Sequence, residues 1–165
     1  MKTLYLAGGC FWGTQAFFDQ FPGVVKTEAG YANGHKENPT YAEVKSQATG
    51  HAETVKVEFD ETKMSVTALL DAYFLVIDPL SLNQQGHDIG TQYRTGIYYE
   101  DESLLPEIRA RYAAEEEKVG QKLAVELEPL TAFFPAEEYH QDYLVKNPGG
   151  YCHIPERMLH LAEEA

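Results

Sequence analysis

The chain has 165 residues, 44% hydrophobic and 12% aromatic, which gives one domain with a proper core and excludes a disordered chain. Thirteen Lys and Arg against 26 Asp and Glu leave a formal net charge of −13, the wrong sign for gripping a phosphate backbone, so no nucleic acid is expected as a partner. No apolar run approaches the ~18 residues of a membrane span, and "MKTLYLAGG" lacks the apolar length and cleavage site of a signal peptide, so a cytoplasmic protein without a membrane partner is expected.

In chain order, "TLYLA" at 3–7 reads as a first strand, and the glycines that follow allow a tight turn into a helix. Phe11, Thr14, Phe18 and Phe21 share one helical face, and "PG" at 22–23 stops that helix. Residues 24–31 read as a second strand, followed by a loop and a short turn of helix around Tyr41–Lys45. "ETVKVEF" at 53–59 alternates as a third strand, with Glu53, Val55, Val57 and Phe59 on one face and Thr54, Lys56 and Glu58 on a polar one. Ser65 caps a helix whose stripe is Val66, Leu69, Leu70, Tyr73 and Phe74. Residues 78–94 form a loop too long for a plain connection, which marks it as functional. "TGIYYE" is a fourth strand, a charged helix runs over about 102–119, and "AVELEPL" offers an edge strand.

The order β-α-β-β-α-β predicts an α+β fold, a two-layer sandwich with a ferredoxin-like core plus a C-terminal helix and coil tail. A single domain over 1–165 is expected, with its core at about 1–130 and a segment at about 131–165 that is turn-rich and mobile.

There are two cysteines, Cys10 and Cys152, with no C-x-x-C and no spacing that would build a zinc site, so neither metal nor organic cofactor is expected. Cys10 falls where the first strand turns into the first helix, where unpaired N–H groups favour a thiolate, and the flanking glycines would let a substrate come close. Glu53 is in phase with the buried row at the strand's beginning, and desolvation there should raise its pKa. A thiolate beside a neutral acid suits a reaction in which an oxygen is protonated while sulfur attacks the neighbouring atom, and sulfoxide reduction is one such reaction. The sulfenic acid left at Cys10 needs a second thiol, and Cys152 is available, with Gly149 and Gly150 to let it swing in. Two readings stand beside this: a cysteine hydrolase or acyltransferase using His51 or His87, and a non-catalytic thiol redox sensor. His35, His140, His153 and His160 read as solvated.

The blocks "GCFWG" at 9–13, "GYANG" at 30–34, "PTYAEV" at 39–44, "TGHAE" at 49–53, "QGHDIGTQYR" at 85–94 and "NPGGYC" at 147–152 resemble, in order, the type A peptide methionine sulfoxide reductases. The resemblance implies Cys10 as nucleophile, Glu53 as acid and Cys152 as the recycling thiol. It implies that Tyr31 and Tyr93 polarise the sulfoxide oxygen, that Phe11 and Trp12 wall in the S-methyl group, and that Asp88 supports the hydrogen-bond network. It further implies the S epimer as substrate, repair of oxidised proteins, free methionine sulfoxide as a further substrate, and direct reduction by thioredoxin. A monomer is expected. Three positions depart from the family's habit: Asn33 where a glycine is frequent, Lys45 where a cysteine is common, and Ile77 where a histidine precedes "DP".

Overall fold

A computed structural model describes residues 1–163. Strand β1 (Lys2–Gly8) leads into helix α1 (Phe11–Asp19) and strand β2 (Val24–Ala32), and a short helix α2 (Tyr41–Lys45) precedes strand β3 (Ala52–Phe59). Helix α3 (Val66–Val76), the two-residue strands β4 (Gln84–Gln85) and β5 (Asp88–Ile89), strand β6 (Thr95–Tyr99) and helix α4 (Leu105–Val119) follow. Strands β7 (Glu126–Pro129) and β8 (Phe133–Pro135), helix α5 (Tyr143–Lys146) and a 3-10 run over Glu156–Glu163 complete the described chain.

The main sheet has the order β7-β6-β1-β3-β2-β8. All neighbours are antiparallel except β6 and β7, which run parallel. The fold is therefore a mixed α/β one, with α1 linking β1 to β2 and α3 lying between β3 and β6 in sequence. Register decides which side chains become neighbours. Leu4 faces Val57 and Leu6 faces Val55 across β1 and β3, while Tyr31 of β2 lies opposite Glu53 of β3. Directly opposed residues share a sheet face, so Tyr31 and Glu53 stand side by side with the apolar row.

That row forms one core with the helices: Leu4, Leu6, Val55, Val57 and Phe59 meet Phe17, Phe18, Leu69, Leu70 and Tyr73 in a single buried cluster. Ser65 caps α3 as read, its hydroxyl accepting from Ala68 N at 3.1 Å. Tyr73 is more than packing. Its buried hydroxyl donates to Ala7 O at 2.6 Å and accepts from Gly96 N at 3.1 Å, tying the end of β1 to β6 just before the turn that carries Cys10.

The structure departs from the sequence expectations at definite places. Helix α1 ends at Asp19, not at Phe21, because the Gln20 side chain donates to Phe17 O at 2.8 Å and takes over a C-terminal carbonyl. Thr54 is not on a wet face: Tyr5, Ala7, Ala32, Ala52 and Tyr98 form a second buried cluster on that side, with Leu130 and Phe133 packed against it. The 78–94 loop contains the β4–β5 hairpin, and the offered edge strand is β7, paired with β6. Strand β8, unread from the sequence, extends the sheet beyond β2. Within the described residues, the tail is docked on the core instead of free, with Ile154 buried and Cys152, Met158 and Leu159 packed against the main cluster.

Candidate active site

Cys10 is the N-cap residue of α1, placed there by Gly9, whose φ of 89° is a left-handed conformation that glycine tolerates best. The Trp12 amide in the first turn of α1 acts on the Cys10 thiol from close by and pulls its pKa down. The first free amide of the helix, Phe11 N–H, donates to Glu53 Oε1 at 3.2 Å. The two groups singled out from the sequence thus meet at one helix terminus, both buried, Cys10 at 5% and Glu53 at 1% relative exposure.

Their acid–base properties follow from that burial. Desolvation raises the Glu53 carboxyl to about 8, the Phe11 amide pulls it down, and the Asp88 carboxylate pushes it up. A neutral acid at pH 7 is what the sequence predicted. The thiol behaves otherwise. Burial pushes Cys10 well above its ordinary value, Glu53 and Asp88 push the same way, and the Trp12 amide is too little to reverse them. The lowered thiol pKa expected from the helix terminus is therefore corrected: desolvation wins over the helix end.

Aromatic side chains surround the pair. Phe11 is buried, with its ring centroid 5.7 Å from Tyr31, 6.3 Å from Tyr41 and 5.4 Å from His140. Trp12 stacks on Tyr143 at 3.8 Å and 12°, and its indole N–H donates to His140 Nδ1 at 3.0 Å. Tyr31 is fully buried and its hydroxyl donates to Glu137 Oε1 at 2.8 Å, so in this form its proton is engaged. Tyr93 hydrogen-bonds Tyr41; burial followed by the Glu53 charge raises both phenols, Tyr41 to about 12. Asp88 receives a hydrogen bond from Tyr151, while its Oδ2 is buried with no partner among the described residues.

Cys152 comes from the tail to the same helix end. A Cβ on Gly13 would sit 2.8 Å from Cys152 Sγ, and one on Gly9 would sit 3.0 Å from His153 Nε2. These glycines thus admit the protein's own tail, not only a substrate. Both cysteines are free thiols here. Cys152 also lies on the wall of an open groove of about 610 Å³ that includes Leu144, Val145, Pro148 and Leu159.

Cys10, Phe11, Trp12, Tyr31, Glu53, Asp88, Tyr93 and Cys152 therefore gather around the start of α1, in contact or through charge, whereas His51 does not. Four neighbours of this site were not foreseen. Tyr41 is set by the capping box of α2, in which Thr40 and Glu43 exchange side-chain hydrogen bonds with each other's backbone; the T-x-x-E pattern was visible. Glu137 and His140, and His153 with its Nε2 2.9 Å from Gly8 O, had no local signal. His140 is buried and His153 is held, so neither is solvated as expected. His51 is buried and structural: Gly34 N donates to its Nδ1 at 2.9 Å and Lys36 O lies 2.8 Å from its Nε2. Asn33 has φ 56°, which explains a position where glycine is frequent, and its side chain staples Thr131 N at 2.7 Å and Pro129 O at 3.1 Å.

Comparison with known proteins agrees with this geometry. The chain is 55% identical, over 93% of its length and 98% of the relative's, to the peptide methionine sulfoxide reductase MsrA of Alkaliphilus metalliredigens. The crystal structure of Mxr1 from Saccharomyces cerevisiae in reduced form superposes with a TM-score of 0.86 at 38% identity, covering 92% of this chain and 88% of that one. Methionine sulfoxide reductase A of Corynebacterium diphtheriae gives a TM-score of 0.81 at 36% identity, covering 94% and 83%. The family model described as peptide methionine sulfoxide reductase matches residues 2–163, and the chain belongs to that family.

Proposed function

We propose that this chain reduces methionine sulfoxide, in proteins and as the free amino acid, with Cys10 as nucleophile, Glu53 as acid and Cys152 as resolving thiol. The observation that carries it is the Phe11 N–Glu53 Oε1 hydrogen bond of 3.2 Å, which ties a buried carboxyl to the amide next to Cys10. Substrate S-methyl packs on Phe11 and Trp12, and Tyr93, Tyr41 and Glu53 face the sulfoxide oxygen. Tyr31 joins them once its hydroxyl turns from Glu137, and Asp88, bonded to Tyr151, supports the rim of the site. Preference for the S epimer is carried over from the family resemblance.

Glu53 gives its proton to the oxygen, which makes the substrate sulfur electrophilic, and the resulting carboxylate takes the proton of the attacking Cys10 thiol. Oxygen passes to Cys10, which becomes a sulfenic acid as the substrate sulfur is reduced by two electrons and leaves as methionine. The raised thiol pKa suits this order, because the base that removes the thiol proton appears only after the oxygen has been protonated. Cys152 then attacks the sulfenic sulfur, water leaves and a disulfide forms. A thioredoxin restores both thiols by exchange at the groove beside Cys152. The four central strands, in the order β6-β1-β3-β2 with antiparallel neighbours, support reading the scaffold as a ferredoxin-like split βαβ unit. No helix among the described residues is long and apolar enough to cross a membrane; we propose a cytoplasmic monomer.

The test uses an oxidised methionine peptide with thioredoxin, thioredoxin reductase and NADPH. Wild type should turn over continuously, Cys10→Ser should release no methionine, and Cys152→Ser should release one equivalent and stall. Equal loss of the first equivalent in both variants would contradict the assigned roles. An acyl adduct on Cys10 would favour a hydrolase instead.

A further inference from the structure

The step that makes the disulfide has a chemical difficulty, because Cys152 is itself half-buried and its thiol is pushed up by that burial. A protonated thiol is a poor nucleophile, and a base must take its proton for fast attack. Ile154 O, at 3.3 Å from Sγ, accepts the thiol hydrogen in the resting form but is no base.

Resting on the sulfenic-acid reading above, we propose that His153, the residue after the resolving cysteine, is the general base of disulfide formation and returns the proton to the departing oxygen. Its tautomer is fixed by its surroundings. Nε2 lies 2.9 Å from Gly8 O, and a carbonyl can only accept, so Nε2 carries the hydrogen. Nδ1 is then the basic nitrogen, and it is buried without a hydrogen-bond partner among the described residues. It looks into the same small space as the Cys152 sulfur: the point where a Gly13 Cβ would stand is 2.8 Å from Sγ and 3.3 Å from Nδ1. Buried polar atoms are nearly always satisfied, and an orphaned one beside a reacting group is a mark of use.

The neighbours of the imidazole are compatible with a neutral base. Gly13 of α1 brings no side chain, Gln85 beyond Gly9 is uncharged, and the end of β1 brings only the Gly8 carbonyl. The tail brings Cys152 and Tyr151, the latter spending its proton on Asp88. Burial lowers the His153 pKa, while the Gly8 bond and the Asp88 charge pull it back up, so it is unprotonated at neutral pH yet able to accept. The step balances. Nδ1 takes the thiol proton, the Cys152 sulfur bonds to the Cys10 sulfur, and the Cys10 S–O bond breaks. The leaving hydroxide recovers the proton from Nδ1 as water. One sulfur is oxidised and the other reduced by one equivalent each. Gly8 immediately precedes the Gly9–Cys10 pair, so the imidazole is anchored where that oxygen departs.

The experiment is a single turnover without reductant, reading methionine release and disulfide formation separately by quenched mass analysis. His153→Gln keeps a side-chain N–H for Gly8 O but has no basic nitrogen; His153→Ala has neither. Methionine release should be unchanged in both, which also shows that both are folded. At pH 7 the disulfide should form about 10²-fold more slowly in both, the deficit should shrink as rising pH ionises Cys152 unaided, and added imidazole should rescue His153→Ala. Wild-type rates in His153→Gln, or a deficit in both variants that ignores pH and imidazole, would overturn the proposal and leave His153 as a strut that docks the tail. Failure of wild type to release methionine would overturn the function reading first, since no sulfenic acid would form.

Discussion

Glu53→Gln should make the protein a worse enzyme and a more stable molecule. The native carboxyl holds its proton up to about pH 8, whereas in the unfolded chain it ionises at its ordinary value of 4.5. For an acid raised in this way the folded state binds more protons than the unfolded one. Stability is therefore fully present below pH 4.5, declines as pH rises, and levels off once pH passes the folded value near 8. Each unit of pH in that window removes about 1.4 kcal/mol. At pH 7 the wild type has lost roughly 3 kcal/mol relative to an uncharged isostere at this site. Glutamine has nearly the same shape and can still accept from Phe11 N, but has no proton to give. Urea unfolding at pH 5, 6, 7 and 8 should show the variant's advantage growing with pH, while single-turnover methionine release drops by about 10²-fold or more. A stability difference that does not change with pH would refute the claim that this carboxyl is buried in its neutral form.

Other consequences concern the scaffold and the tail. Tyr73→Phe leaves Ala7 O and Gly96 N without their buried partner and should cost about 1–3 kcal/mol in urea unfolding; an unchanged midpoint would remove the phenol from the support of the Cys10 turn. Gly13→Ala improves helix propensity by about 1 kcal/mol, yet its methyl would stand 2.8 Å from Cys152 Sγ. It should slow disulfide formation while sparing methionine release, and equal rates for the second step would show that Cys152 does not react from its docked place. Ionisation of Glu53 near pH 8 should also make the methionine-release step fall above that pH; a rate that climbs steadily through pH 9 would mean that thiol ionisation, not the acid, limits the step.

Much of this site could be read from the chain because its key residues obey local rules. Glu53 keeps the phase of Val55, Val57 and Phe59, so its burial followed from strand periodicity, and Cys10 stands at a strand-to-helix junction marked by glycines. What was not legible depends on pieces that meet only in three dimensions. The 133–135 strand is three residues long and exists because β2 offers it an edge. Turn residues in 147–153 suggested a loose tail, but the missing side chains at Gly9 and Gly13 make a berth for Cys152 and His153. The thiol's ionisation was misjudged because a helix end was weighed without the burial and negative neighbours that oppose it.

The most direct test is infrared difference spectroscopy of wild type against Glu53→Gln across pH 6 to 9, following the C=O stretch of one un-ionised carboxylic acid. A band belonging to Glu53 should persist at pH 7 and vanish with a midpoint near 8. A carboxylate signal already complete at pH 6 would leave the sulfoxide oxygen with no proton donor and contradict the account.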